Sequence, residues 1–156
     1  MRELGIGFVA YAPLGQGFLT GRLRSLDQLE LDDQRRANPR FGEGNLERNL
    51  RIVDAVAAVA HQAGASPAQV ALAWLLAQGD DIAVIPGTRR VGRLEENVAA
   101  DSLVLTDDQL TQRGSLARPV GDLADELPYG ARVLAVRLSV RPRRTLLGRP
   151  PSLVLP

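Results

Sequence analysis

The run from Ile82 to Asn97 constrains the fold of this chain more than any other segment. A short apolar stretch, residues 82–85, predicts a β-strand, and the residues from Val91 onward predict a helix. Pro86 and Gly87 lie in the turn between them. A strand, a glycine-containing turn and a helix start together present unpaired backbone N–H groups to an anion. The segment therefore predicts α/β structure with an anion-binding turn.

The side chains of this segment suit a phosphorylated ligand. Three arginines lie within roughly one helical turn of the helix start: Arg89, Arg90 and Arg93. A guanidinium group gives phosphate both charge and paired hydrogen bonds, and Glu96 and Asn97 could bond the edge of a base. Two interpretations stay open on these residues alone. One is a nucleotide site, and the other is an ordinary strand–turn–helix with a solvated basic start.

A second block, FVAYAPLGQGFLTG at residues 8–21, has the same strand-then-loop character. Gly15 and its neighbours are small or conformationally permissive, so backbone can approach a phosphate closely. The GQG run is weak by itself, because the third glycine and downstream acid of a dinucleotide fingerprint are absent. The GQG run indicates a phosphate-binding loop only when it is considered together with the block at residues 82–97.

The two blocks together resemble the aldo-keto reductases, NADP-dependent (β/α)8 carbonyl reductases. The run IPGTRRVGRLEEN is similar to the segment after the family's last barrel strand, and residues 8–21 to its seventh strand and following loop. The resemblance implies NADP(H) as cofactor. For the second run it implies 2′-phosphate contacts from Thr88 and Arg93, with Arg89 as an extra, and adenine contacts from Glu96 and Asn97. Pro86 and Gly87 belong to the same cofactor turn.

In the first block the resemblance implies that Tyr11 packs against the nicotinamide. The loop that wraps the pyrophosphate would comprise Pro13, Leu14, Gly15 and Gln16. Ala12 stands where the family commonly has Ser, so one hydrogen bond to the cofactor is expected to be missing.

The family's catalytic residues are not matched. Their Asp, Tyr, Lys and His lie on earlier strands, whereas Met1 to Gly7 resembles the run just before strand seven. The sequence contains no lysine, and its single histidine, His61, lies in a helical pattern and is expected to be at the surface or partly buried. We therefore expect no catalytic residue here, and a reductase portion that is inactive alone.

The remaining pattern completes an α/β order. A strand at 6–11 and a polar loop from Arg22 to Gly44 precede a helix predicted from Asn45, as N-cap, to about Ala63. Ser66 and Pro67 predict the start of a second helix, to about Gln78, and Thr106 that of a last one. Trp74 is expected in packing, and Asp80 and Asp81 in a solvated turn rather than a metal site.

Composition bounds the remaining possibilities. The chain has 156 residues, whereas a complete (β/α)8 barrel typically needs about 250. A net charge of +1 gives no drive toward nucleic acid or membrane, and no cysteine is present for disulfides or thiolate metal sites. No signal-peptide pattern begins the chain. A cytoplasmic protein is expected.

The last part of the chain departs from the family pattern. Residues 113–156 carry 8 Arg against 3 acidic residues, whereas residues 1–112 carry 11 Arg against 15. Residues 132–140 could form an edge strand, and the proline-rich remainder predicts an irregular or disordered tail. A basic tail can contact nucleic acid or a protein partner, although no aromatic platform accompanies it.

The predicted fold is thus the last two β/α units of a TIM barrel (1–112) plus an atypical Arg/Pro-rich tail (113–156). The first hypothesis is a reductase portion that acts with a separately encoded N-terminal half or self-associates. The alternatives are a non-catalytic nucleotide-binding module or degenerate relic, and a protein whose tail binds a partner or nucleic acid.

Overall fold

A computed structural model describes residues 2–42, 44–114 and 135–136. Its strands are β1 (Gly7–Ala10), β2 (Ile82–Val84) and β3 (Ala135–Val136), and its α-helices are α1 (Asn45–Ala63), α2 (Pro67–Leu76), α3 (Val91–Ala99) and α4 (Asp107–Gly114). The predicted order of strand, two helices, strand and helix is confirmed. Both strands are shorter than predicted, since the sequence predicted strands at 6–11 and 82–85.

The three strands form one sheet in the order β2-β1-β3. β1 and β2 are parallel, with Phe8 opposite Ile82 and Ala10 opposite Val84. Because they run parallel, their carboxyl ends lie at the same edge of the sheet. The described residues show an open sheet and no closed barrel, so the partial-barrel prediction stays a prediction.

β3 adds an antiparallel pairing on the other side of β1, with Gly7 opposite Val136. Ala135 and Val136 are the described part of the edge strand predicted at 132–140. The predicted boundary at 112/113 falls inside α4, and the rest of the predicted tail lies outside the described residues.

The helix starts show which capping signals were effective. Ser66 caps α2 with Pro67 in the first turn, and Ser66 and Gln69 exchange side-chain-to-backbone hydrogen bonds as a capping box. Thr106 and Gln109 make the same reciprocal pair before α4. α2 ends at Leu76, two residues before the predicted Gln78, with Ala77 as C-cap.

The prediction of Asn45 as N-cap was wrong. Gly44 takes that position with φ of 72°, and Asn45 is the first helical residue. The amide Nδ2 of Asn45 instead donates to the carbonyl oxygen of Pro39 at 2.9 Å, which ties the helix start to the preceding loop. Gly64 ends α1 as predicted, in the left-handed conformation with φ of 61°.

Two hydrophobic clusters hold these elements together. One packs α1 against α2 and the residues before α4: Val56, Val59, Ala60, Val70, Ala73 and Leu105. The other packs the segment before α1 onto that helix: Phe18, Leu23, Leu29, Phe41, Leu46 and Val53. Phe18 and Phe41 meet edge to face, with ring centroids 5.5 Å apart. The second cluster explains why a polar segment without long helices is nonetheless ordered.

That segment, residues 22–42, is called the strap below. It contains two 3₁₀ turns, Leu26–Gln28 and Gln34–Ala37, where the sequence predicted a polar loop. Arg36 fastens it internally, since its guanidinium donates to the carbonyl oxygens of Leu26, Leu29 and Glu30.

Candidate functional site

A cleft of about 620 Å³ opens at the carboxyl ends of β1 and β2. Its volume is in the range of small-molecule sites, and the carboxyl edge of parallel strands is where such sites form in α/β proteins. Ten of the twelve predicted site residues line it: Tyr11, Pro13, Leu14, Gln16, Pro86, Gly87, Thr88, Arg93, Glu96 and Asn97.

Two predicted residues do not line the cleft. Gly15 lies inside the loop after β1, where its N–H donates to the carbonyl oxygen of Ala12 at 2.8 Å. Its φ of 57° shapes the turn, so its contribution is to the backbone path. Arg89 is exposed in the turn before α3, which leaves its predicted role as an extra phosphate contact without structural support.

The loop after β1 is shaped by residues in the left-handed conformation. Ala12 and Gln16, which are not glycine, have φ of 47° and 56°, and Gly17 has φ of 90°. Phe18 anchors the end of the loop, with only 2% of its surface exposed. Tyr11, at the end of β1, is 83% exposed and borders the cleft. A buried aromatic therefore fixes one end of the loop and an accessible aromatic stands at the other.

α3 presents different chemistry on different sides. Arg93, Glu96 and Asn97 follow helical spacing on one side and line the cleft. Val91, Leu94 and Val98 follow a second stripe and are 71%, 53% and 64% exposed. Before the helix, the hydroxyl Oγ1 of Thr88 accepts the backbone N–H of Arg90 at 3.2 Å, which fixes the turn that leads into α3.

Nine further residues line the cleft that sequence reasoning had not selected. They are Ala12, Gly17, Thr20, Arg22, Arg35, Ser66, Pro67, Ala68 and Ile85. The start of α2 was recognised from its capping signal, but its proximity to the cleft depends on how α2 packs. Arg22 and Arg35 come from the strap, and no short motif marks them.

Arg35, at the strap side of the cleft, is held in an ion pair. Its guanidinium pairs with the Asp33 carboxylate, Nη2 to Oδ2 at 2.7 Å. Hydrogen bonds from the Arg35 side chain and backbone lower the pKa of Asp33 to about 2, and the same pairing raises the pKa of Arg35. Both groups are therefore charged at neutral pH.

The other singled-out residues have structural surroundings. His61 is exposed on α1, as predicted. Trp74 packs against the cluster between α1 and α2 and donates from Nε1 to the carbonyl oxygen of Leu110 at 3.2 Å. Asp81 pairs with Arg2 at 2.9 Å. No cluster of metal-ligating side chains and no helix able to span a membrane occurs among residues 2–42 and 44–114.

The described residues form an α/β structure with a cleft at the carboxyl edge of parallel strands. The aldo/keto reductase family model matches residues 1–117. The chain is 45% identical over 116 residues to aldo-keto reductase str7 of Strobilurus tenacellus. It is 49% identical over 106 residues to aldo-keto reductase yakc of Schizosaccharomyces pombe, whose name specifies NADP(+).

The chain therefore belongs to the aldo/keto reductase family, a family of oxidoreductases that bind NAD(P)H. The two alignments cover 74% and 68% of this chain but 34% and 31% of the relatives. The chain thus spans about one third of the length of the curated relatives it matches.

Proposed function

We propose that this chain supplies the NADP(H)-binding portion of an oxidoreductase that reduces aldehydes or ketones. The observation that carries the proposal is the cleft itself. Two sequence blocks about 70 residues apart, each chosen for its likeness to a cofactor segment, contribute to one opening of suitable size. Family membership supports the same chemistry.

The α3 side of the cleft suits the adenosine end of the cofactor. Arg93 offers a charged fork in the first turn of α3, where the helix dipole also favours an anion. With Thr88 it would hold the 2′-phosphate, and Glu96 and Asn97 would bond the adenine edge. Preference for NADPH over NADH is therefore assigned to Arg93 and Thr88.

The β1 side suits the pyrophosphate and nicotinamide. The loop from Pro13 to Gln16 borders the cleft through Pro13, Leu14 and Gln16, and positive φ at Gly15 and Gln16 sets its backbone path. Tyr11 is free to stack, because most of its surface is exposed. Arg22 and Arg35 add positive charge on the strap side, which complements a polyanionic ligand.

The chain is proposed to bind the cofactor without completing the reaction. When bound, NADPH supplies the hydride that reduces a carbonyl group. The lysine of the family's catalytic set has no counterpart here, because the sequence lacks lysine, and the single histidine, His61, does not line the cleft. A cytoplasmic location, where NADPH is available, is part of the proposal.

We further propose that a separately encoded polypeptide carrying the preceding β/α units completes the barrel against this chain. α3 exposes the apolar stripe of Val91, Leu94 and Val98. Within the described residues β2 pairs only with β1, which leaves its other edge open. The relatives are about three times as long as the matched region.

The completion proposal is tested by sedimentation of the chain alone and after co-expression with such a polypeptide. A one-to-one complex that Leu94→Glu disrupts, and Glu95→Gln does not, would support it. A homo-oligomer formed through the same stripe, or a monomer that ignores the added polypeptide, would contradict it.

The cofactor proposal is tested by thermal melts with NADPH or NADH. A ligand that binds only the folded chain raises the transition midpoint, and we expect a larger rise with NADPH. Arg93→Ala should remove that preference, whereas Arg51→Ala on the exposed side of α1 should retain it. Unchanged midpoints with both nucleotides would overturn the proposal. Absence of a cooperative transition would instead identify a degenerate relic.

A further inference from the structure

The left-handed conformation of Gln16 needs a structural reason. An L-residue in this region costs roughly 1–2 kcal/mol relative to its ordinary conformations, and Gln16 has φ of 56°. Its side chain is exposed, so burial in the core does not hold it there. The turn persists because neighbouring groups fix it.

The strap bonds Gln16 at two points. The Nη1 of Arg35 donates to the Gln16 carbonyl oxygen at 3.3 Å, and the Nδ2 of Asn38 donates to its side-chain Oε1 at 3.4 Å. One donor engages the main chain and the other the side chain. Together they latch the strap to the cleft loop at a strained turn that is not glycine.

Asp33 organises the first of these two donors. Its Oδ1 accepts from the Arg35 Nε at 3.0 Å and from the Arg35 backbone N–H at 2.9 Å, while its Oδ2 accepts from Nη2. This side-on pairing restrains the guanidinium and leaves Nη1 to reach Gln16. Asp33 itself does not line the cleft, whereas Arg35 and Gln16 do.

We propose that Asp33 is a positioning residue for the binding of a pyrophosphate-bearing dinucleotide. It holds Arg35 so that the strap latches Gln16 in its left-handed turn and gives the cleft loop its binding shape. This inference rests on the proposed NADP(H)-binding function. Asp33 would not contact the ligand. It would affect nucleotide affinity through the shape of the cleft loop, and therefore independently of the 2′-phosphate.

The test is calorimetric titration of Asp33→Asn with NADPH and NADH. Loss of one charge-assisted contact should weaken binding of both nucleotides by about threefold to tenfold. The equal effect separates Asp33 from Arg93, whose substitution should weaken NADPH alone. Asp54→Asn is the matched control, because it breaks an ion pair with Arg24 of similar length, 2.8 Å, that involves no cleft-lining residue. It should leave binding unchanged.

A double-mutant cycle distinguishes positioning from general destabilisation. Glycine adopts positive φ without strain, so a Gln16→Gly chain no longer needs the latch. In that background Asp33→Asn should have little further effect on either nucleotide. If Asp33→Asn does not fold, Asp33→Glu, which retains the carboxylate but displaces it from Arg35, should show the same suppression.

The outcomes separate the two proposals. If the unsubstituted chain binds NADPH but Asp33→Asn binds equally well, the positioning role is wrong and the cofactor proposal stands. An equal loss from Asp33→Asn in the unsubstituted chain and in the Gln16→Gly chain would also overturn the positioning role. If the unsubstituted chain binds neither nucleotide, both proposals fail.

Discussion

Trp74 on α2 donates its indole N–H to the carbonyl oxygen of Leu110 on α4, with Nε1 and O 3.2 Å apart. The bond joins residues 36 positions apart, and its partners pack against the same hydrophobic cluster. It fixes how α4 rests on α2, which also presents its first residues to the cleft.

Replacing Trp74 by Phe should lower the free energy of unfolding by about 1 kcal/mol, since it removes a donor but retains an aromatic ring. Urea unfolding followed by circular dichroism measures the effect, because the substitution also removes the chain's single tryptophan fluorophore. His61→Ala, at an exposed position of α1, should change stability by less than about 0.5 kcal/mol. Equal effects of the two substitutions would contradict this assignment.

The capping boxes of α2 and α4 allow stability to be separated from binding. Ser66→Ala and Thr106→Ala should each lower stability by about 1 kcal/mol, because each removes a hydroxyl that accepts a backbone N–H at a helix start. Only Ser66 lines the cleft. NADPH titration should therefore show a lower affinity for Ser66→Ala and an unchanged affinity for Thr106→Ala. A shared loss of affinity would mean that binding follows stability alone.

Two glycines with open surroundings should respond in opposite directions to alanine. No atom lies within 4 Å of a methyl group built on Gly64 or Gly92, so the difference depends on backbone conformation. Gly64→Ala should destabilise by about 1 kcal/mol because its φ is 61°. Gly92→Ala, within α3, should stabilise by about 0.5–1 kcal/mol. Shifts of the same sign in thermal or urea unfolding would show that one of these conformations is wrong.

The Asp33 carboxyl gives stability a specific dependence on pH. Its pKa is lowered from 3.8 to about 2 in the folded chain, so its contribution is complete above about pH 4 and is lost as pH falls toward 2. Asp33→Asn removes this contribution. The stability difference between the two chains should therefore be constant near neutral pH and shrink across that acidic window. A difference that is constant down to pH 2 would contradict the pairing with Arg35.

Local signals in the sequence predicted most elements correctly. Ser66-Pro67 and Gly64 act through hydrogen bonds and dihedral angles within a few residues, and each appears where predicted. The N-cap was misplaced by one residue, because Gly44 turns the chain into α1 with positive φ and Asn45 is already helical. The strand predicted at 82–85 was one residue too long, because Ile85 lies beyond β2 and is 52% exposed.

Residues of the candidate site were predictable from sequence only where they lie close together in one short segment. Arg93, Glu96 and Asn97 are related by helical spacing, so their common side follows from sequence once the helix is recognised. Arg22 and Arg35 reach the cleft because the strap folds back through buried Phe41 and Leu29. That approach depends on tertiary packing between distant residues, which no local pattern encodes.

The two sides of α3 also determine how the chain tolerates changes in length. Each residue advances an α-helix by about 100°, so one residue inserted between Val91 and Arg93 would rotate the rest of α3 relative to the β2 turn. Side chains from the apolar stripe would then turn toward the opening, and the guanidinium of Arg93 would turn away from it. Substitutions on α3 therefore change one side chain at a time, whereas a single inserted residue would displace all the side chains of the helix that follow it.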